Sequence, residues 1–175
     1  MTDIRASSGD VAGEYRIGAA RIHNGPVSDH QVVRERLAGF PARLEMSARA
    51  APQNPPAPGE WTPTEIVRHL IAVEEQVWHV RLGQLATEEH PRWRWVEPGQ
   101  WLGAPGAGLD DVLATHAAAR ATTLAMLDAL GETGWARTGT HDTFGVLDVA
   151  GLMTVAADHD DEHLASLGGT PTAAD

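Results

Sequence analysis

Apolar residues recur every three to four positions along most of this chain, in four stretches separated by segments rich in proline, glycine or tryptophan. Ser28-Asp29-His30-Gln31 opens the first with the form of a capping box, in which Ser28 can accept from a free backbone N–H and Gln31 can reach back. A helix is expected from there through Val33, Leu37, Phe40 and Leu44, bent at Pro41 because proline removes a ladder donor. Ala51 to Gly59 ends it, with four prolines in nine residues. The second stretch has the clearest start: Thr62 as N-cap, Pro63 at the first helical position where its missing N–H costs nothing, and Glu65 completing another capping box. Ile66, His69, Val73, Gln76 and Val80 are expected to share one face of that helix, flanked by Leu70 and Val77.

Thr87 to Gly108 carries Trp93, Trp95 and Trp101 among prolines and glycines, and is longer than the usual link between antiparallel neighbours. It is expected to cross the bundle. A third helix begins near Asp110, carries Val112, Leu113, His116, Leu124, Leu127 and Leu130, and ends at Gly131. The fourth starts around Asp148, presents Leu152, Ala156, His159, His163 and Leu167 on one stripe, and stops at Gly168-Gly169. With no persuasive strand alternation, the fold class is all-α: a four-helix bundle over residues 28–169 with a long connection between helices 2 and 3. Residues 1–27 are expected as an N-terminal extension, poorly ordered or packed on the bundle, and 170–175 as a C-terminal tail.

Composition narrows what such a bundle can do. A chain of 175 residues, 42% of them apolar, fits one domain with one sizeable core. A formal charge of −11 argues against nucleic acid as a partner, since affinity for phosphate backbones comes from basic residues. The absence of cysteine excludes disulfides, thiolate metal ligands and a cysteine nucleophile. No window reaches the roughly 20 apolar residues of a spanning helix, so no membrane partner and a cytoplasmic location are expected. The tryptophans between helices are read as apolar lids on the bundle's mouth, with ligand stacking as the alternative.

His159 and His163, four apart on a helix, place their rings one above the other, within reach of one metal ion. Two histidines within an apolar stripe need partners, and a metal satisfies both; core histidines bonded to carboxylates are the alternative. His69 reaches the same level if helices 2 and 4 pack antiparallel. Three neutral nitrogens would leave coordination positions open, as catalytic sites do. Glu65, Asp160 and Glu162 are candidates to orient an imidazole or act as a general base, against the plainer reading of a solvated acidic face. His116 is read as a core histidine, His141 as a turn-fixing residue, and His23, His30, His79 and His90 as surface or loop residues.

Three segments carry a family resemblance: Glu60-Trp61-Thr62-Pro63-Thr64-Glu65-Ile66-Val67-Arg68-His69-Leu70, the His141-Asp142-Thr143-Phe144-Gly145 turn, and Ala157-Asp158-His159-Asp160-Asp161-Glu162-His163-Leu164. Together they resemble the DinB superfamily of four-helix metalloproteins from about Ser28 to Gly168. The resemblance implies that His69, His159 and His163 bind one divalent ion, zinc or nickel above all. The family's turn often has proline where Asp142 stands. Some branches are similar to metal-dependent thiol S-transferases, which implies a low-molecular-weight thiol and a small electrophile as substrates, and a homodimer as the assembly. A metal-dependent hydrolase with Glu65 or Asp160 as base, and a non-catalytic, stress-related metal-binding bundle, are the alternatives.

Overall fold

A computed structural model describes residues 28–54, 59–99, 103–104 and 106–168. The expectations for residues 1–27 and 170–175, and for Trp101, lie outside them. The chain forms α1 (Asp29–Ala50), α2 (Pro63–Val73), a π-helical turn (Glu74–Trp78), α3 (His79–Thr87), α4 (Leu109–Gly134) and α5 (Val149–Ser166). α2, the π turn and α3 follow one another without a break, so the bundle has four helical rods. Among the described residues, none is long and apolar enough to cross a membrane.

Local chemistry sets the ends. Ser28 accepts from the Gln31 N–H at 3.3 Å, while the Gln31 amide turns to Glu35 instead of reaching back, so only half of the first capping box forms. At Thr62 both halves form. Asp148 caps α5 by accepting from the Gly151 N–H at 2.7 Å. At Gly131 the backbone takes φ +62° and ψ 178°, which breaks the α4 geometry at the expected glycine before a last turn to Gly134.

Ion pairs fix the directions of the rods. Arg34 pairs with Asp128 and Arg49 with Asp110, so α1 and α4 run antiparallel. Arg36 pairs with Asp158, and Arg43 with Asp161, so α1 and α5 run parallel. Arg68 donates to the Ala107 carbonyl and Glu74 meets Arg120, so α2 and α4 also run parallel. A parallel pair demands a connection as long as the bundle, which is why Glu88 to Gly108 is extended. α2 is therefore antiparallel to α5.

Two apolar clusters fill the interior. Phe40, Leu44, Leu70, Ile71, Val112 and Leu164 pack one end, and Leu37, Val77, Trp78, Leu82, Leu127 and Met153 the other. A small sheet joins the second end: β1 (Arg92–Trp93) pairs parallel with β2 (Thr138–His141), which pairs antiparallel with β3 (Gly145–Asp148). Strands of two to four residues are too short to show an alternating pattern, so this sheet adds to the expected architecture.

The buried face of the second rod lies beside the predicted stripe, running through Val67, Leu70, Ile71, Glu74, Val77, Trp78 and Arg81 at ordinary helical spacing. Gln76 and Val80, expected on the buried stripe, are exposed, while Glu74, Val77, Trp78 and Arg81 are buried.

Candidate metal centre

The completed capping box at Thr62 fixes where α2 starts and so where His69 projects, about two turns in. Glu65 is engaged in that box, its carboxylate accepting from the Thr62 N–H at 2.8 Å and the Thr62 hydroxyl at 2.7 Å. These bonds hold it below the usual carboxylate range.

On α5 the acidic run is a set of anchors. Asp158 and Asp161 face α1, where Arg36 lies 2.8 and 3.0 Å from them and Arg43 2.9 Å from Asp161. Asp160 faces α4 and meets the Arg120 Nη2 at 2.8 Å. His159 and His163, on the remaining face, are directed at α2. Glu162 is exposed, and partial burial with Asp158 nearby raises its pKa.

The three imidazoles meet across the seam between α2 and α5. One nitrogen from each of His69, His159 and His163 lies within 4.8 Å of the others. The two Nε2 atoms of His159 and His163 are 3.2 Å apart. Two nitrogens each about 2.05 Å from one ion at the tetrahedral angle would be about 3.3 Å apart, so this edge already has the spacing of a coordination pair.

Burial, followed by the charges of His163, His69 and Arg120, depresses His159 to about 3. Burial and His69 bring His163 down to about 4. His69 is lowered by burial against the opposing charge of Glu97. All three rings are therefore neutral at physiological pH, the form that offers a lone pair. The Nδ1 of His159 is buried and has no hydrogen-bond partner among the described residues.

Trp61 stands at the edge of this group, its ring 4.9 Å from that of His69 and parallel to that of His163 at 6.3 Å. It is 46% exposed, so it flanks the imidazoles without closing them off. A cavity of about 410 Å³ opens beside it, lined by Gly59, Glu60, Trp61, Ile66, His163 and Ser166.

A buried polar network backs the centre. Arg120 reaches Glu74 as well as Asp160, the Thr123 hydroxyl donates to Glu74, and the His79 Nε2 lies 3.0 Å from the Thr123 hydroxyl. Burial pushes Asp160 up to about 7 against the pull of Arg120. His79, expected at the surface, is half-buried against α4, its Nε2 3.2 Å from the Ala119 carbonyl oxygen.

The other described histidines stay apart from the triad. His116 is buried beside Phe40, and His141 accepts from the Thr143 N–H at 3.1 Å, fixing its turn as expected. His30 stacks on Trp135, and exposed His90 lies 3.0 Å from the Thr138 hydroxyl. Glu60, Ser166, Glu97 and Arg120 escaped the sequence reading. Arg120 carried a signal, since His116, Arg120, Thr123 and Leu127 form one helical stripe on which a charged residue has to be paired.

No curated protein matches the chain. Among solved structures it is similar to YfiT from Bacillus subtilis, described as a probable metal-dependent hydrolase with an unusual four-helix bundle topology, at a TM-score of 0.65 and 22% identity. The likeness covers 87% of this chain and 91% of that one, and it shows the shared fold. The family model described as the DinB superfamily matches residues 31–167, a span that includes the four rods but for the first two residues of α1, together with the three converging histidines, and the chain belongs to that superfamily.

Proposed function

We propose that His69, His159 and His163 hold one divalent metal ion, zinc or nickel, and that the chain is a metal-dependent enzyme acting on small molecules as a thiol S-transferase. The observation carrying this reading is the convergence of three neutral imidazoles beside a cavity large enough for a small substrate. Three protein nitrogens leave at least one coordination position open. When bound, such an ion supplies Lewis acidity and brings a coordinated thiol or water to a pKa at which it is nucleophilic near neutral pH.

The chain's own residues favour a thiol that arrives from outside. It has no cysteine to serve as the nucleophile. Glu65 is engaged in the α2 cap and Asp160 in the Arg120 pair, so neither is a free base beside the imidazoles. A thiol loses its proton far more readily than water and needs such a base least. Trp61 offers an aromatic wall to the electrophile, while His69, His159 and His163 would hold the ion whose open position takes the thiol. The reaction forms a carbon–sulfur bond, expels the leaving group with its electron pair, and releases the thiol proton to solvent.

A second reading, ester or amide hydrolysis, is favoured by Glu60, an exposed carboxylate on the cavity wall that could take a proton from water. The description of YfiT points the same way. Metal-loaded protein assayed with chlorobimane and a panel of bacillithiol, mycothiol, glutathione and coenzyme A separates the two. Thiol-dependent turnover that persists in Glu60→Gln supports transfer. Ester or amide turnover without thiol, lost in Glu60→Gln, would replace it with hydrolysis.

A further inference from the structure

His69 and Arg81 are twelve residues apart on the continuous α2–α3 rod, roughly 18 Å along its axis. At the Arg81 level a second cleft, of about 180 Å³, lies between the rod and the strand segment around β1. Its wall includes Gln76, Arg81, Gln84, Arg92, Trp93 and Arg94. In a chain of net charge −11, three arginines at one small cleft run against the overall balance.

Arg81 is the centre of the cleft. Its side chain is 6% exposed, yet among the described residues it meets no carboxylate. Its Nη2 donates to the Arg94 carbonyl at 3.1 Å and lies 3.3 Å from the His141 Nε2. The guanidinium carbon sits 5.4 Å from the Trp78 ring and 5.8 Å from the Trp93 ring. Burying a cation against two indoles without a counter-charge is costly, and burial pulls the Arg81 pKa down accordingly.

No carboxylate lines the rest of the wall. Gln76 accepts from the Gly99 N–H at 2.8 Å through its Oε1, and Gln84 accepts from the Trp93 indole N–H at 2.9 Å in the same way. Each glutamine keeps its NH2 group available as a donor. Arg92 and Arg94 are exposed and form no ion pair among the described residues. Gln76 belongs to the π turn, the kind of helix irregularity that is frequent at functional sites.

We propose that this cleft is an anion site, distinct from the histidine centre, that takes a small organic carboxylate. The carboxylate would pair with the Arg81 guanidinium in the two-pronged geometry arginine favours, with Arg92, Arg94 and the glutamine amides completing the donor set. Its apolar body would rest on Trp93 and the neighbouring valines.

Calorimetric titration of the full-length, metal-loaded protein with benzoate at fixed ionic strength tests the proposal, with benzamide, inorganic phosphate and chloride run alongside. Saturable benzoate binding is expected at one site per chain, at least tenfold tighter than benzamide. The double change Arg92→Ala with Arg94→Ala, both exposed side chains, should weaken it at least tenfold, and Arg81→Met should abolish it. His159→Ala should leave benzoate affinity unchanged, which separates this cleft from carboxylate binding at the metal. No saturable binding at millimolar benzoate, equal affinity for benzamide, preference for phosphate, loss of binding in His159→Ala, or indifference to the Arg92/Arg94 change would each overturn the assignment.

Discussion

Replacing His116 with leucine tests how strictly the bundle interior excludes charge. The imidazole is 1% exposed, packs edge-on against Phe40 at 5.6 Å between ring centres, and has neither nitrogen hydrogen-bonded among the described residues. Burial, then the nearby Arg120 charge, lowers it to about 3. In the unfolded chain the same ring titrates near 6.5. Below pH 6.5 the unfolded state therefore takes up a proton that the folded state refuses down to about pH 3, and stability falls with pH through that window. The slope is about 1.36 kcal/mol per pH unit, so His116 should cost about 2 kcal/mol between pH 7 and pH 5. Leucine has a similar volume and no polar atoms, so His116→Leu should stabilise the protein by about 1–3 kcal/mol at pH 7, the penalty of unsatisfied buried groups. At pH 5 the gain should be larger by about 2 kcal/mol. Urea unfolding followed by tryptophan fluorescence, with metal chelated, measures both values, and the other histidines cancel in the difference. A gain independent of pH, or a variant less stable than the parent at pH 7, would refute the reasoning.

Other outcomes follow from single contacts. Arg120→Met leaves Glu74 and Asp160 buried without their cation and should cost about 3–5 kcal/mol in urea unfolding, with part recovered by adding Glu74→Gln. Because Arg120 also anchors the segment that carries His159, the same variant should bind metal more weakly, as read by competition with a chromogenic chelator. At Gly139 a Cβ would run into the Trp93 ring, so Gly139→Ala should lower stability by about 1–3 kcal/mol, whereas Gly83→Ala, where a Cβ meets nothing within 4 Å, should not.

The ends of the rods were legible because they depend on short-range chemistry: Ser28, Thr62 with Pro63 and Glu65, Gly131 and Asp148 each act on backbone within one turn. The histidine triad was legible from the spacing of His159 and His163 and from the level His69 reaches if its helix packs antiparallel to theirs, a pairing that the resemblance also implied. What lay beyond sequence reading was set by packing. The buried face of the second rod runs through Val67, Leu70, Ile71, Glu74, Val77, Trp78 and Arg81, a stripe interrupted by charge, so the more apolar-looking neighbouring stripe with Gln76 and Val80 was read in its place. Glu74, turned inward, is met by Arg120 from α4, whose place on the stripe of His116, Thr123 and Leu127 was legible while its partner on another helix was not. The cavity wall at Glu60 and Ser166 joins residues more than a hundred positions apart, a proximity that depends on the antiparallel α2–α5 seam.

Metal content, measured by elemental analysis on protein purified without immobilised nickel, tests the histidine centre most directly. One divalent ion per chain is expected in the parent, with loss of that ion in each of His69→Ala, His159→Ala and His163→Ala and retention in His116→Ala. A parent chain that takes up no divalent ion when offered zinc or nickel, or one whose metal survives His159→Ala undiminished, would contradict the three-histidine centre.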